Sequence, residues 1–167
     1  PSTLLDQSCE GAVSRQVAEV FDADETGAAQ ITHGYTYSAH PVAAAAAIAS
    51  LKILVDEDVP GHVARVGPAF QQRLRGLVQR HDFVGDVRGR GLMLGIEMVS
   101  DQATKATIAK TDDLPARVAR AAYRRGLMVR VSGPNLILSP PLVISEQELD
   151  FLATALEESF DEVDKAR

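Results

Sequence analysis

Apolar positions recur at helical spacing through the first half of the chain and shift toward strand-like runs from residue 83 onward. Val13, Val17 and Val20 predict one short amphipathic helix over residues 13–21, and the polar stretch 22–30 reads as a loop. A helix follows from Pro41 to about Val55. Proline suits its first position, and apolar residues on nearly every face predict burial on most sides. Pro60 and Gly61 break it. Val63, Val66, Phe70, Leu74 and Leu77 then mark the stripe of a second helix, with Pro68 as a kink or a late start.

In the second half, residues 83–88 and 92–99 predict two strands joined by Gly89-Arg90-Gly91. A polar loop leads to a helix striped by Leu114, Val118, Ala121 and Ala122, which Gly126 stops. Residues 127–131 and 136–138 form a further hairpin around Ser132-Gly133-Pro134-Asn135, and Pro140-Pro141 prevents that strand from extending into a central ladder. The last helix has a capping box in Ser145 and Glu148, a staple from Ile144 to Leu149, and a stripe of Leu149, Leu152, Leu156, Phe160 and Val163. A ββαββα order after a long helix predicts an α+β domain, a small antiparallel sheet with helices on one face.

Composition narrows the classes. With 167 residues, 46% of them hydrophobic, the chain is long enough to bury the core of one ordinary domain. A net charge of −6 without a basic block argues against nucleic acid as a partner. The longest apolar run, residues 41–50, falls short of the roughly 20 residues of a membrane span, and residues 1–10 lack the pattern of a signal peptide. One cysteine, Cys9, excludes an internal disulfide and fits a reducing cytoplasm. His33, His40, His62 and His81 show no ligand spacing, so no metal site is expected.

Two places carry candidate chemistry. Residues 33–41, His-Gly-Tyr-Thr-Tyr-Ser-Ala-His-Pro, set a glycine-opened, hydroxyl-rich turn directly before a helix start, where free N–H groups and the helix dipole favour an anion. Thr36 with those N–H groups can satisfy three phosphate oxygens. The same turn also reads as a plain cap in which Thr36 or Ser38 satisfies the helix N-terminus. Arg130 is the second. It sits in an otherwise apolar strand, where a guanidinium requires an anion, a carboxylate partner or an exposed edge to snorkel to.

The string over residues 33–41 resembles the HG(Y/F)TYSGHP signature of class III aminotransferases, in the omega-amine and beta-alanine:pyruvate branch of the pyridoxal-phosphate enzymes. The stretch 126–145 is similar to that family's GL(L/I)xRxxGDxxxxxPPLxxT segment, and residues 84–93 resemble its VGDVRGxGLMxGIE element. One departure is Ala39, where the family usually has glycine.

The resemblance implies an α/β parent fold, with residues 1–40 a remnant of its large cofactor domain, 41–60 an interdomain helix and 61–167 the small C-terminal domain. It implies that Tyr35 and Thr36 hold the phosphate of pyridoxal phosphate in a neighbouring subunit, hence a homodimer. It also implies that Arg130 binds the carboxylate of an amino or keto acid and swings away for an uncharged amine. The carboxylate arginine of ornithine-type enzymes, expected at Ile137, is absent. Asp86 and Arg88 are read as a structural pair across the hairpin.

Transamination needs a lysine that bonds the cofactor aldehyde and an acid on the pyridine nitrogen. The family supplies both upstream of the signature turn. Lys52, Lys105, Lys110 and Lys165 lie in helix faces or polar loops, outside a lysine-glycine context. The expectation is a C-terminal portion without a catalytic residue of its own, transferring amino groups from an amine or omega-amino acid to pyruvate only as part of its parent. The alternative is a non-catalytic truncated α+β domain acting in dimerisation or small-acid binding.

Overall fold

The computed structural model describes residues 14–23, 26, 40–109 and 111–167. The chain divides into two units, Pro1–Glu57 and Asp58–Arg167.

In the first unit, α1 spans Arg15–Asp22, a residue or two later than the valine spacing predicts. Helix α2 spans Pro41–Asp56 and opens on proline, with the His40 carbonyl accepting from the Ala44 N–H at 2.9 Å. Its alanine run is the strongest helix former available, so the helix needs no side-chain cap and has none. Burial differs from expectation. Only Ala43 and Ala47 of α2 are buried, while Val42, Ile48, Leu51, Ile53 and Val55 are exposed. The physical reason is that apolar residues surround this helix on all sides, so packing along one stripe leaves the others uncovered.

The second unit starts at Asp58, whose left-handed backbone (φ 47°) turns the chain. Helix α3 spans Val59–Arg75. The break therefore falls before Pro60 and Gly61, which lie in the first turn of α3, where a proline's missing N–H costs nothing. Pro68 stands inside the helix on its exposed side, neither a late start nor an end. Val66, Phe70 and Leu74 are buried along the predicted stripe, and Leu77 continues it in the short α4, Leu77–Arg80.

Strand β1 (Val84–Arg90) pairs antiparallel with β2 (Met93–Asp101), which also carries the two-residue β3 (Ala106–Thr107). Helix α5 (Leu114–Arg124) follows and ends before Gly126, whose φ is +81°. Strands β4 (Arg130–Ser132) and β5 (Asn135–Leu138) make the second hairpin, shorter at its start than predicted because β4 begins at Arg130. Helix α6 spans Glu146–Lys165 behind the predicted capping box: Glu148 N–H donates to Ser145 Oγ, and Ser145 N–H donates to Glu148 Oε2 at 2.9 Å.

The main sheet runs β1-β2-β5-β4, so the two hairpins join through their second strands. On its inner face Val84, Leu94, Ile96, Met98, Leu136 and Leu138 are buried with residues of α3, α5 and α6 in one core. Each such large side chain contributes about 1.5–3 kcal/mol relative to exposure. The outer face is left for other work.

Candidate functional site

Strand alternation decides what the outer face presents, because residues two apart share a side. The registers Arg88↔Gly95, Gly95↔Ile137 and Ile137↔Arg130 place these four residues in one row across β1, β2, β5 and β4. Three strand spacings separate the two arginine backbones, roughly 14 Å. Their states differ. Arg88 Nη1 donates to Glu97 Oε2 at 2.6 Å and lies 3.4 Å from Asp86 Oδ2, and the Glu97 hydrogen bond, followed by its charge, holds the guanidinium above its ordinary pKa. The expected Asp86–Arg88 pair is present, but along one strand rather than across the hairpin, where Glu97 is the nearer partner. The cause is register: Asp86, not Arg88, stands opposite Glu97, and arginine reaches diagonally.

Arg130 is exposed, and its side chain has neither an ion pair nor a hydrogen bond among the described residues. Of the alternatives open to it in sequence, a carboxylate partner is not taken up among the described residues. An unpaired fork of five donors on a solvent-facing sheet row is suited to bidentate capture of a carboxylate.

An apolar groove of about 540 Å³ is lined by Met128, Val129, Ile137, Pro141, Val143 and Phe151 among others, and Arg130 is not one of its lining residues. Ile137 is the residue directly opposite Arg130. Glu148 also lines this groove, its carboxyl held below the ordinary 4.5 by hydrogen bonds from the Ser145 hydroxyl and N–H.

Tyr35 and Thr36 lie outside the described residues. Among the described lysines, Lys52 is ion-paired to Asp56 at 2.6 Å, and Lys105 sits in the loop after β2 with φ +54°. Lys165 lines two surface clefts, but with Asp161 and Asp164 in one and Glu158, Asp161 and Glu162 in the other these are poor seats for an anionic phosphate, so the described residues do not by themselves fit pyridoxal phosphate.

A model of the family described as aminotransferase class-III matches residues 10–160. The chain belongs to this family. An uncharacterized aminotransferase, y4uB, of Sinorhizobium fredii is 41% identical over 151 residues, covering 88% of this chain and 32% of the relative. Gamma-aminobutyrate transaminase 1, mitochondrial, of Oryza sativa subsp. indica is 33% identical over 142 residues, covering 85% of this chain and 27% of the relative. Among solved structures, an amine transaminase from an uncultivated Pseudomonas species in its PLP-bound form superposes with a TM-score of 0.81 at 40% identity, covering 90% of this chain and 34% of that one. A thermostable (S)-enantioselective omega-transaminase from Thermomicrobium roseum superposes at 0.76 with 36% identity, covering 90% and 33%. The chain spans about a third of the length of these relatives.

Membership of the class III family implies pyridoxal phosphate as the cofactor of the parent enzyme. It also accounts for the mixed architecture, since the small antiparallel sheet and its helices are found within transaminase structures. Among the described residues no helix is long and apolar enough to cross a membrane.

Sequence reasoning missed the apolar groove between the second hairpin and α6 and the His81 cluster. His81 is buried between Phe83 and Phe160, with Nδ1 2.8 Å from Asp164 and Nε2 3.3 Å from Asp161. This cluster fastens α6 to the start of β1 and is remote in sequence from any motif. The only local hint is a histidine immediately ahead of an apolar strand.

Proposed function

We propose that this chain is the C-terminal portion of a class III aminotransferase that moves an amino group from an amine or omega-amino acid to pyruvate or a related keto acid. Residues 1–40 then belong to the large cofactor domain, 41–60 to an interdomain helix and 61–167 to the small domain. Tyr35 and Thr36 hold the cofactor phosphate across a homodimer, and Arg130 binds the carboxylate of the amino or keto acid. The protein works in the cytoplasm, in keeping with its single cysteine.

The observation that carries this reading is the unpaired Arg130 guanidinium on the outer sheet face of a domain that superposes on amine transaminases. When bound, the cofactor supplies an electron sink for the carbon that gains or loses the amino group. The chain's own part is to hold the phosphate through Tyr35 and Thr36 and to orient the acid through Arg130. It has no catalytic lysine of its own: Lys52, Lys105, Lys110 and Lys165 are all outside a lysine-glycine context.

The test uses the purified chain with pyridoxal phosphate, an amine and pyruvate, followed by borohydride and mass spectrometry. The expected result is no turnover and no pyridoxyl group fixed on a single lysine. Co-expression with a chain carrying the upstream part of a relative should give a yellow, dimeric, active complex. In that complex Thr36→Ala should weaken cofactor binding, and Arg130→Ala should raise the KM for pyruvate. Turnover by the chain alone would overturn the assignment of a partial enzyme, and an unchanged pyruvate KM would remove Arg130 from the site.

A further inference from the structure

Among the described residues two polar side chains are buried, His81 and Ser159, and the Ser159 hydroxyl is satisfied by donating to the Ala155 carbonyl. His81 is not so settled. Its ring lies between those of Phe83 and Phe160, with centroids 5.4 and 5.7 Å away, so its orientation is held by packing. Each ring nitrogen then meets a carboxylate of α6: Nδ1 lies 2.8 Å from Asp164 Oδ2, and Nε2 lies 3.3 Å from Asp161 Oδ1. The first contact is a hydrogen bond. Across the second none is made, and Nε2 is left buried without a partner.

The number of ring protons decides what this arrangement can do. An ionised carboxylate only accepts, so a ring nitrogen that bonds to one has to carry a hydrogen. A neutral imidazole has a single N–H, which serves Asp164 and leaves the Nε2 lone pair facing the Asp161 oxygen, two acceptors with nothing between them. A charged ring has two N–H groups and serves both.

The surrounding charges give Asp161 a second holder. From α4, Arg80 Nη2 donates to both Asp161 oxygens at 2.9 Å, while its Nη1 lies 3.8 Å from Glu157. Arg167, beyond α6, is 2.6 Å from Asp82 and 3.9 Å from Asp164, and its guanidinium covers the Phe83 ring. Lys165 lines the same cleft as His81. The other acids of this stretch, Glu158 and Glu162, are taken by Arg125 and Arg124 of α5.

We propose that His81 is a proton-operated latch for the last turns of α6: with a second ring proton it bonds Asp161 as well as Asp164 and fastens residues 161–165, and without that proton Asp161 turns to Arg80 and those residues open. Closing takes up a proton, so it is favoured as pH falls and lost as pH rises, over the roughly pH 5–8 range in which histidine changes charge. The device is independent of the chemistry proposed for Arg130.

The experiment follows the His81 imidazole by NMR in the isotope-labelled full chain, identified by its contacts with Phe83 and Phe160, together with amide exchange along α6, at about pH 5.5 and about pH 8. Exchange is corrected for the intrinsic effect of pH on amides. The ring is expected to pass from two N–H groups to one. Protection of residues 161–165 is expected to fall about tenfold, the worth of one hydrogen bond between charged groups, while the middle of α6 keeps its own. Asp161→Asn, at a part-exposed position, offers Nε2 a carboxamide N–H and is expected to hold protection level at both pH values. Arg80→Gln removes the other holder of Asp161 and is expected to keep the tenfold change.

A ring that loses its second proton while residues 161–165 stay equally protected would show that this proton fastens nothing. A ring in one protonation state at both pH values would show that there is no switch. A fall in protection that persists in Asp161→Asn, or vanishes in Arg80→Gln, would assign it to other groups. Any one of these outcomes overturns the latch.

Discussion

Gly89 and Gly133 both stand at or beside hairpin turns, yet the structure asks different things of them. A Cβ at Gly89 would lie 2.0 Å from the Met93 carbonyl oxygen and 2.8 Å from the Leu94 Cα, so the two strands of the first hairpin could not keep their spacing. At Gly133 a Cβ would meet nothing within 4 Å, and only the left-handed φ of 56° opposes a side chain. Gly133→Ala should therefore cost roughly 1–2 kcal/mol, the ordinary penalty for an L-residue in that region. Gly89→Ala should cost about 3 kcal/mol or prevent folding, because backbone has to move. Urea unfolding of the two variants side by side checks the order, and equal losses would mean that the hairpin spacing is not what Gly89 protects.

At the scale of elements, α6 gathers the second unit. Its N-terminus is closed by the Ser145–Glu148 box, and its middle is tied to α3 by Arg73, which donates to Glu157 Oε1 at 3.0 Å and Oε2 at 2.9 Å and to Thr154 at 2.7 Å. Ser145→Ala should lower stability by about 1 kcal/mol at neutral pH. Glu148 titrates lower in the folded chain than in the unfolded one, so its contribution is fully present above the ordinary 4.5 and is lost as pH falls through the folded value. Glu148→Gln should therefore flatten the acid limb of a stability-against-pH curve relative to the unsubstituted chain. An unchanged limb would show that other carboxylates, such as Glu162 held down by Arg125 and Arg124, set it alone.

Arg73→Lys should lose the two-pronged contact, with a coupling to Glu157 of roughly 1 kcal/mol in a double-mutant cycle. These ties also mark the line between what the sequence shows and what it does not. The capping box, the proline start of α2, the Gly126 stop and both hairpins are local, decided by residues a few positions apart, and could be read directly. The Arg73–Glu157 and His81–Asp164 pairs span 84 and 83 residues and depend on how α6 returns, which no short pattern encodes. Likewise Arg130 stood out as a charge in an apolar strand, and its place opposite Ile137 follows from the local hairpin, but the β1-β2-β5-β4 order that leaves β4 at the sheet edge is not encoded in any short pattern.

For the molecule as a whole, the decisive fact is where the core lies. Among the described residues, the core cluster from Val66 to Val163 lies in the unit Asp58–Arg167. Helix α2 carries apolar residues on all sides but buries only Ala43 and Ala47, and an isolated helix of 16 residues is marginal in water even when alanine-rich. Cooperative stability should then reside in the second unit. A chain beginning at Asp58 is expected to unfold in a single transition with the same urea midpoint and nearly the same slope as the full chain, since the slope follows the surface exposed on unfolding. The full chain should lose extra helical signal without cooperativity, ahead of that transition. A midpoint that falls on removing residues 1–57 would show that the first unit contributes to the folding of the second, and would move the folding boundary upstream of Asp58.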